Sequence, residues 1–309
     1  MKIIYMGTPE FAVAPLRALL EAGHEVCCVV TQPDRPKGRG GRVQMSPVKE
    51  FALKRGLFVF QPEKIKAPEA VGRLREFGAE VFVVAAFGQI LSEEILRMPR
   101  YGCINIHASL LPAYRGAAPI QQVILNGEER TGVTIMQMDA GIDTGDMLLK
   151  QVVPVAPDET DESLGVRLAE AGAVLITEAL KRLEAGTLVF TKQDHAQSSY
   201  AKLLKKAMGQ MDFSEPAYVL ERKVRGLYSW PGAYTFYQGK MLKIYRASVR
   251  EEEPDGEAGS ISAVTKDAIL VNTGNGKLAL TEVQPEGKRR MTVRDFLAGN
   301  QIGKGQKLG

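Results

Sequence analysis

Val81-Phe82-Val83-Val84-Ala85-Ala86 is an unbroken apolar run with no polar alternation. A strand of that kind is covered on both faces, as in a parallel sheet packed between helices. Working outward, residues 2–6 and 26–31 read as two more buried strands, and 103–107 as a shorter one. Helix signals lie between them. Residues 10–21 carry Phe11, Leu16, Leu19 and Leu20 at helical spacing, with Thr8 as the expected N-cap, Pro9 at the first helical position and Gly23 as the stop. Residues 47–55, 68–77 and 117–125 also read as helices, 133–138 and 147–155 as alternating strands, and 161–184 as a long amphipathic helix. This alternation predicts an α/β fold with a mostly parallel sheet.

The texture changes after the polar stretch at 193–199, where a linker is expected. One helical segment, 215–225, is followed by short strand-like pieces at 242–249, 259–263, 268–272 and 278–283, separated by Gly, Asn, Pro and Asp. That spacing suggests a small β-barrel or sandwich, and an oligonucleotide-binding (OB-like) barrel would suit its charge. The boundaries expected are 1–195 for the first domain, 196–210 for the linker and 211–309 for the second. The acidic loop 251–257 reads as a solvated turn, and the Gly- and Lys-rich tail from Gly299 as mobile.

Composition narrows the class. With 309 residues, 45% apolar and 25% charged, the chain is neither disordered, collagenous nor a disulfide-knotted miniprotein. No run of about 18 apolar residues suggests a membrane span. The start reaches Gly7 too early for a signal-peptide apolar region. Three cysteines, two of them adjacent, fit a reduced, cytoplasmic protein. The net charge of +4 hides an asymmetry: residues 1–195 hold 22 basic and 24 acidic residues, and 196–309 hold 18 and 12. Within 196–250 there are ten basic residues against Asp212, Glu215 and Glu221. A basic second half suggests a polyanionic partner, nucleic acid first, against a merely soluble basic surface.

Several familiar sites are missing. Gly7-Thr8-Pro9-Glu10 has one glycine where a dinucleotide fingerprint needs three. No phosphate-cradling GxxxxGK[ST] loop or G-x-S-x-G elbow occurs. Asp139, Asp143 and Asp146 lack the alternation of a calcium loop, and His24, His107 and His195 lack paired-ligand spacing, so no metal is expected.

Two stretches could carry chemistry. In Ile104-Asn105-Ile106-His107, Asn105 and His107 alternate with isoleucines and point to one side of a strand together. Two polar side chains in an apolar core strand are costly unless paired or functional. They sit near the strand's carboxyl end, where open α/β sheets bind ligands. A satisfied buried hydrogen-bond pair is the alternative. The second stretch, Asp139 to Asp146, could be only a turn that needs Gly and Asp, or could supply a carboxylate to orient or deprotonate a neighbour.

Five stretches now carry a resemblance: TQPDRPKGRG from Thr31, AAFGQIL from Ala85, NIHASLLPAYRGAAPI from Asn105, GVTIMQMDAGIDTGDML from Gly132 and RGLYSWPGAY from Arg225. Together, in this order and over nearly the whole chain, they resemble the methionyl-tRNA formyltransferase family. The resemblance implies a Rossmann-like formyltransferase domain of about 200 residues, a linker and a C-terminal barrel. It implies formyl transfer from 10-formyltetrahydrofolate to the α-amine of methionine on initiator methionyl-tRNA, with that tRNA and the folate as partners, no membrane and a monomer. The family's catalytic set falls on Asn105, His107 and Asp143. Its folate-contacting residues fall on Ser109, Leu110, Leu111 and Pro112, with the backbone of Phe87, Gly88, Gln89 and Ile90 against the pteridine. Its tRNA-contacting basic loop falls on Arg35, Lys37, Arg39 and Arg42, with Arg39 at the family's sensitive arginine. Ala113 and Phe213 stand where the family more often has a basic residue and a tryptophan.

Two other functions remain compatible with the residues alone. A formyltransferase for a small amine, such as a nucleotide-linked glycine or an amino sugar, would share the polar trio without needing the basic barrel. A non-catalytic RNA-binding protein would need the barrel without the trio.

Overall fold

The computed structural model describes residues 1–37 and 42–309. The strands are β1 (Lys2–Gly7), β2 (Glu25–Val30), β3 (Arg35–Lys37), β4 (Arg42–Gln44), β5 (Val59–Phe60), β6 (Val81–Ala85), β7 (Cys103–His107), β8 (Arg115–Gly116), β9 (Arg130–Gln137), β10 (Met147–Pro154), β11 (Tyr200–Ala201), β12 (Ala233–Tyr237), β13 (Lys240–Arg250), β14 (Ile261–Val264), β15 (Ile269–Asn272), β16 (Lys277–Pro285) and β17 (Met291–Thr292). The helices are α1 (Val13–Glu21), α2 (Pro47–Lys54), α3 (Pro68–Glu76), α4 (Glu93–Leu96), α5 (Pro119–Asn126), α6 (Asp161–Glu184), α7 (Ala217–Gly226) and α8 (Val293–Ala298). The chain divides into two compact units. One is Met1–Pro119, Arg130–Pro154 and Gly165–Ala201; the other is Ile120–Glu129, Val155–Leu164 and Lys202–Gly309.

The first unit is built on a seven-stranded sheet in the order β10-β9-β7-β6-β1-β2-β5. Its five strands from β7 to β5 are parallel, and β9 runs antiparallel to both β7 and β10. The apolar run that opens at Val81 is β6, buried throughout beside β1. Alternate residues of four strands (Ile4 and Met6, Cys28 and Val30, Phe82 and Val84, Cys103) share one core with Leu74 of α3 and Ile95 of α4. The opposite face of β7 meets α6. A Cβ on Gly172 would lie 2.8 Å from Ile106, so the glycine lets the helix backbone lie close on the strand.

One capping expectation is corrected. Thr8 does not cap a helix: a 3₁₀ turn at Glu10–Ala12 precedes α1, and the Thr8 hydroxyl instead donates to the Phe87 carbonyl at 3.0 Å. The tether to the loop after β6 takes the hydroxyl that the local pattern assigns to the helix end.

The second unit holds an antiparallel sheet in the order β12-β13-β16-β15-β14, with β17 paired to β16. Leu220 and Val224 of α7 and Val293 and Phe296 of α8 fill its core with Phe213. The tail is not free. Ile302 and Leu308 are buried in that core. Backbone bonds join residues 305–308 to β14 and its lead-in, and the Gly309 N–H reaches Phe236 of β12 at 3.0 Å. The last residues thus span from one sheet edge to the other and close a small β-barrel. Glycine and lysine content suggested mobility, but two apolar side chains placed to enter the core decide otherwise. The acidic loop is likewise engaged: Asp255 pairs with Lys277 and Lys304. Helix α5 belongs to this unit because Gly226 of α7 packs directly on it; a Cβ there would sit 3.1 Å from Leu125.

Candidate active site

Strand β7 ends with Asn105 and His107 on the face away from α6, both largely buried. The turn between β9 and β10 brings Asp143 to them. Asn105 Nδ2 lies 3.5 Å from Asp143 Oδ1, and His107 Nδ1 lies 3.6 Å from Asp143 Oδ2. The three side chains that the sequence singles out therefore converge, 38 residues apart along the chain.

Their surroundings fix the arrangement. The Gly116 N–H donates to Asp143 Oδ2 at 2.8 Å, and His107 Nε2 lies 2.9 Å from the Tyr114 carbonyl oxygen. A carbonyl only accepts, so Nε2 carries a proton in that bond. Nδ1 then faces the carboxylate, a contact that is attractive when the ring is charged. With both nitrogens facing acceptors, donation to a substrate oxygen requires one contact to be exchanged. The Asn105 amide makes only one long bond among the described residues, which leaves an N–H available. Such contacts often tighten when substrate binds.

The loop after β7 is clamped from beneath. Thr134 Oγ1 donates to the Ser109 carbonyl at 2.7 Å and accepts from the Leu111 N–H at 3.1 Å. Lys150 Nζ donates to the Leu111 carbonyl at 2.5 Å, and burial lowers its pKa from the ordinary lysine value. Ser109 and Leu111 are wholly buried; Leu110 and Pro112 are partly exposed. The loop after β6 turns through Ala86 (φ 47°) and Gly88 (φ 87°). The Phe87 side chain is buried, and the Gln89 amide is spent on Ile65 N–H and the Pro62 carbonyl, so the loop offers main chain and the 70%-exposed Ile90. Three of the four non-glycine residues with positive φ among those described (Ala86, Tyr114 and Asp143) lie in these two loops and in the turn between β9 and β10. Left-handed backbone outside glycine costs energy and concentrates where a site needs it.

Arg35 lies on β3, exposed, 3.6 Å from Glu63. Lys37 on β3 pairs in register with Arg42 on β4, so the backbone of the basic loop starts and ends as a hairpin. Arg39 lies outside the described residues. In the second unit, Lys223 and Arg225 pair with Glu215 and Glu221. The other eight basic residues of 196–250 form no ion pair among the described residues, which leaves net positive charge on that stretch.

Sequence reasoning missed Arg115 and Gln193. Arg115 is the largest fully buried side chain, and Gln193, inside the polar stretch read as leading to the linker, is buried beside it. An arginine buried in an α/β core has no periodicity to announce it; the one available signal is its place beside Gly116 in the stretch that begins at Asn105. No group of His, Cys, Asp or Glu placed to hold a metal occurs among the described residues.

Residues 1–180 match the formyl transferase family, and 203–301 match the formyl transferase C-terminal domain. An N-formyltransferase of Helicobacter canadensis, solved with folinic acid and dTDP-3-aminofucose, shares the fold with a TM-score of 0.66 at 20% identity, over 92% of this chain and 99% of that one. Fold and site thus define a formyltransferase of two domains. The methionyl-tRNA formyltransferase of Agathobacter rectalis is 51% identical over 99% of this chain and 98% of its own. That of Geobacter metallireducens is 51% identical over 100% and 99%. The chain belongs to the methionyl-tRNA formyltransferase family.

Proposed function

We propose that the protein transfers the formyl group of 10-formyltetrahydrofolate to the α-amine of methionine on initiator methionyl-tRNA, giving the N-formylmethionyl-tRNA used to start translation. The observation that carries the chemistry is the meeting of Asn105 and His107 with Asp143 within 3.6 Å at the carboxyl end of β7. The acceptor brings its own nucleophile. A free α-amino group titrates at about 7.7–8, so a useful neutral fraction exists near pH 7.

Asn105 donates an N–H to the formyl oxygen as charge develops there, where a preorganised donor counts most. Asp143 orients His107 and takes the amine proton, through one water where the distance requires it. Asp143 passes that proton on to His107 Nδ1, which faces it, and His107 delivers a proton to the departing folate nitrogen, so both side chains end as they began. One carbon–nitrogen bond forms and one breaks, and the proton lost by the amine is matched by the one gained at the donor nitrogen. The 87–90 main chain, offered through Gly88, and the clamped loop of Ser109, Leu110, Leu111 and Pro112 hold the folate. Arg35, Lys37, Arg39 and Arg42, with the basic second domain at 211–309, meet tRNA phosphates, which position without specifying sequence. On this reading 1–195 is the transfer domain and 196–210 the linker of a monomeric cytoplasmic enzyme. No helix among the described residues is long and apolar enough to cross a membrane.

The test is product formation. The chain is mixed with the formyl donor and, separately, charged initiator tRNA, a nucleotide-linked glycine or an amino sugar. Formylated methionyl-tRNA is expected. Product from a small amine alone points to the other formyltransferase reading, and RNA binding without product to the non-catalytic one.

A further inference from the structure

Arg115 poses an energetic problem. The residue is 2% exposed, yet no carboxylate lies within ion-pair distance of its guanidinium among the described residues. Its Nε and Nη2 donate to Gln193 Oε1 at 3.0 and 2.7 Å, and its Nη1 and Nη2 face His195 Nδ1 at 3.2 Å. A buried cation held by neutral acceptors alone is a poor device for stability, because an apolar side chain would fill the same space at less cost. The other end of Gln193 suggests what the cation does. Gln193 Nε2 donates to the Asp143 carbonyl at 2.8 Å and to the Gly145 carbonyl at 2.7 Å. Asp143 itself is at φ 53°, in the left-handed region that aspartate reaches more readily than most residues but at some cost in energy, and the two bonds from Gln193 hold the turn there.

We infer that Arg115 and Gln193 are positioning residues for Asp143. The guanidinium polarises the Gln193 amide, which strengthens its two N–H donors. Those donors lock the backbone of the 143–145 turn, and the adjacent Gly116 N–H holds the carboxylate itself. One short strand, β8, thereby orients both partners of the pair, since Tyr114 just before it accepts from His107. The inference rests on the catalytic reading of Asp143 given above.

Two variants of the full-length enzyme test it against Asp143→Asn. Gln193→Glu keeps, as an ion pair, the acceptor that Arg115 needs, but replaces the donor amide with an oxygen facing two carbonyls. Gln193→Met removes both ends at similar volume. The expected result is a kcat lower by about 10–100-fold in both, the size of loss seen when a hydrogen bond that orients a metal-binding side chain is removed, with KM for folate and tRNA within about threefold of wild type. Backbone amide exchange at Gly116 and Gly145 should quicken. In Gln193→Glu the ion pair with Arg115 offsets part of the oxygen–oxygen repulsion, and a fall in kcat at unchanged KM separates positioning from a purely structural role. Wild-type kcat in both variants, with Asp143→Asn inactive, overturns the positioning role. Wild-type kcat in Asp143→Asn overturns the catalytic reading itself, and the positioning role falls with it.

Discussion

The main-chain N–H of Gly116 donates to Asp143 Oδ2 at 2.8 Å. The geometry at Gly116 admits no side chain: φ is 106°, and a Cβ would lie 2.7 Å from the Ala201 carbonyl oxygen. Gly116→Ala must therefore open the pairing of β8 with β11 or move the donor off the carboxylate. A stability loss of about 1–3 kcal/mol and a lower kcat are expected. Thermal unfolding and steady-state kinetics check it; a variant matching wild type in both would mean that the Gly116 contact is dispensable.

Asn105→Ala removes the amide proposed to donate to the formyl oxygen. Loss of one such donor typically lowers turnover about 10²–10³-fold. Affinity for charged tRNA should be unchanged, because no phosphate contact is assigned to this buried residue. Undiminished turnover would remove Asn105 from the chemistry.

Thr134→Val keeps the shape of a fully buried side chain and deletes both of its bonds to the 109–111 loop. Each orphaned backbone group costs about 1–3 kcal/mol if it stays buried, so the loop is expected to shift toward solvent. KM for the folate donor should rise more than KM for tRNA. An equal rise in both would place the loop away from the donor.

Asp34 gives a pH signature. Its carboxyl is held below the ordinary value of 3.8, first by the Lys49 hydrogen bond at 2.5 Å and then by that of Gln61 at 2.8 Å. A depressed acid stabilises the fold above its unfolded value, and loses that contribution as pH falls through the depressed one. Wild type should melt above Asp34→Asn at pH 7, and the gap should begin to narrow below about pH 4, the unfolded value, and close once the pH lies below the depressed one. A gap that persists into stronger acid, measured by calorimetry, contradicts the ionic account.

Leu308→Ala cuts a buried side chain from the tail that closes the barrel. Core truncations of this kind cost about 2–5 kcal/mol. The second unit should melt earlier while the first is unaffected. An unchanged melting profile would return the tail to the mobile state that its composition suggests.

Much of this was legible in the chain. The Val81 run announced a strand covered on both faces, and the alternation of Asn105 and His107 with isoleucines placed both polar groups on one face of β7. Short-period patterns of this kind arise from backbone geometry and local burial, which each stretch of sequence carries for itself. Other features were illegible for an equally physical reason. Thr8 looked like a helix cap because its hydroxyl has a local use; only the fold offers it Phe87. Gln193 looked like part of a polar stretch leading to the linker because its partners, Arg115 and the 143–145 turn, are 78 and about 50 residues away.

The sequence by itself determined the α/β class, the placing of Asn105 and His107 on one strand face and the charge of the second half. Tertiary structure alone decided that the tail closes a barrel, that β8 sets His107 and Asp143 together, and that a buried cation stands behind them. Local propensity acts between neighbours along the chain. Burial of a charge or of a chain end depends on which distant groups the packed core brings into hydrogen-bond reach.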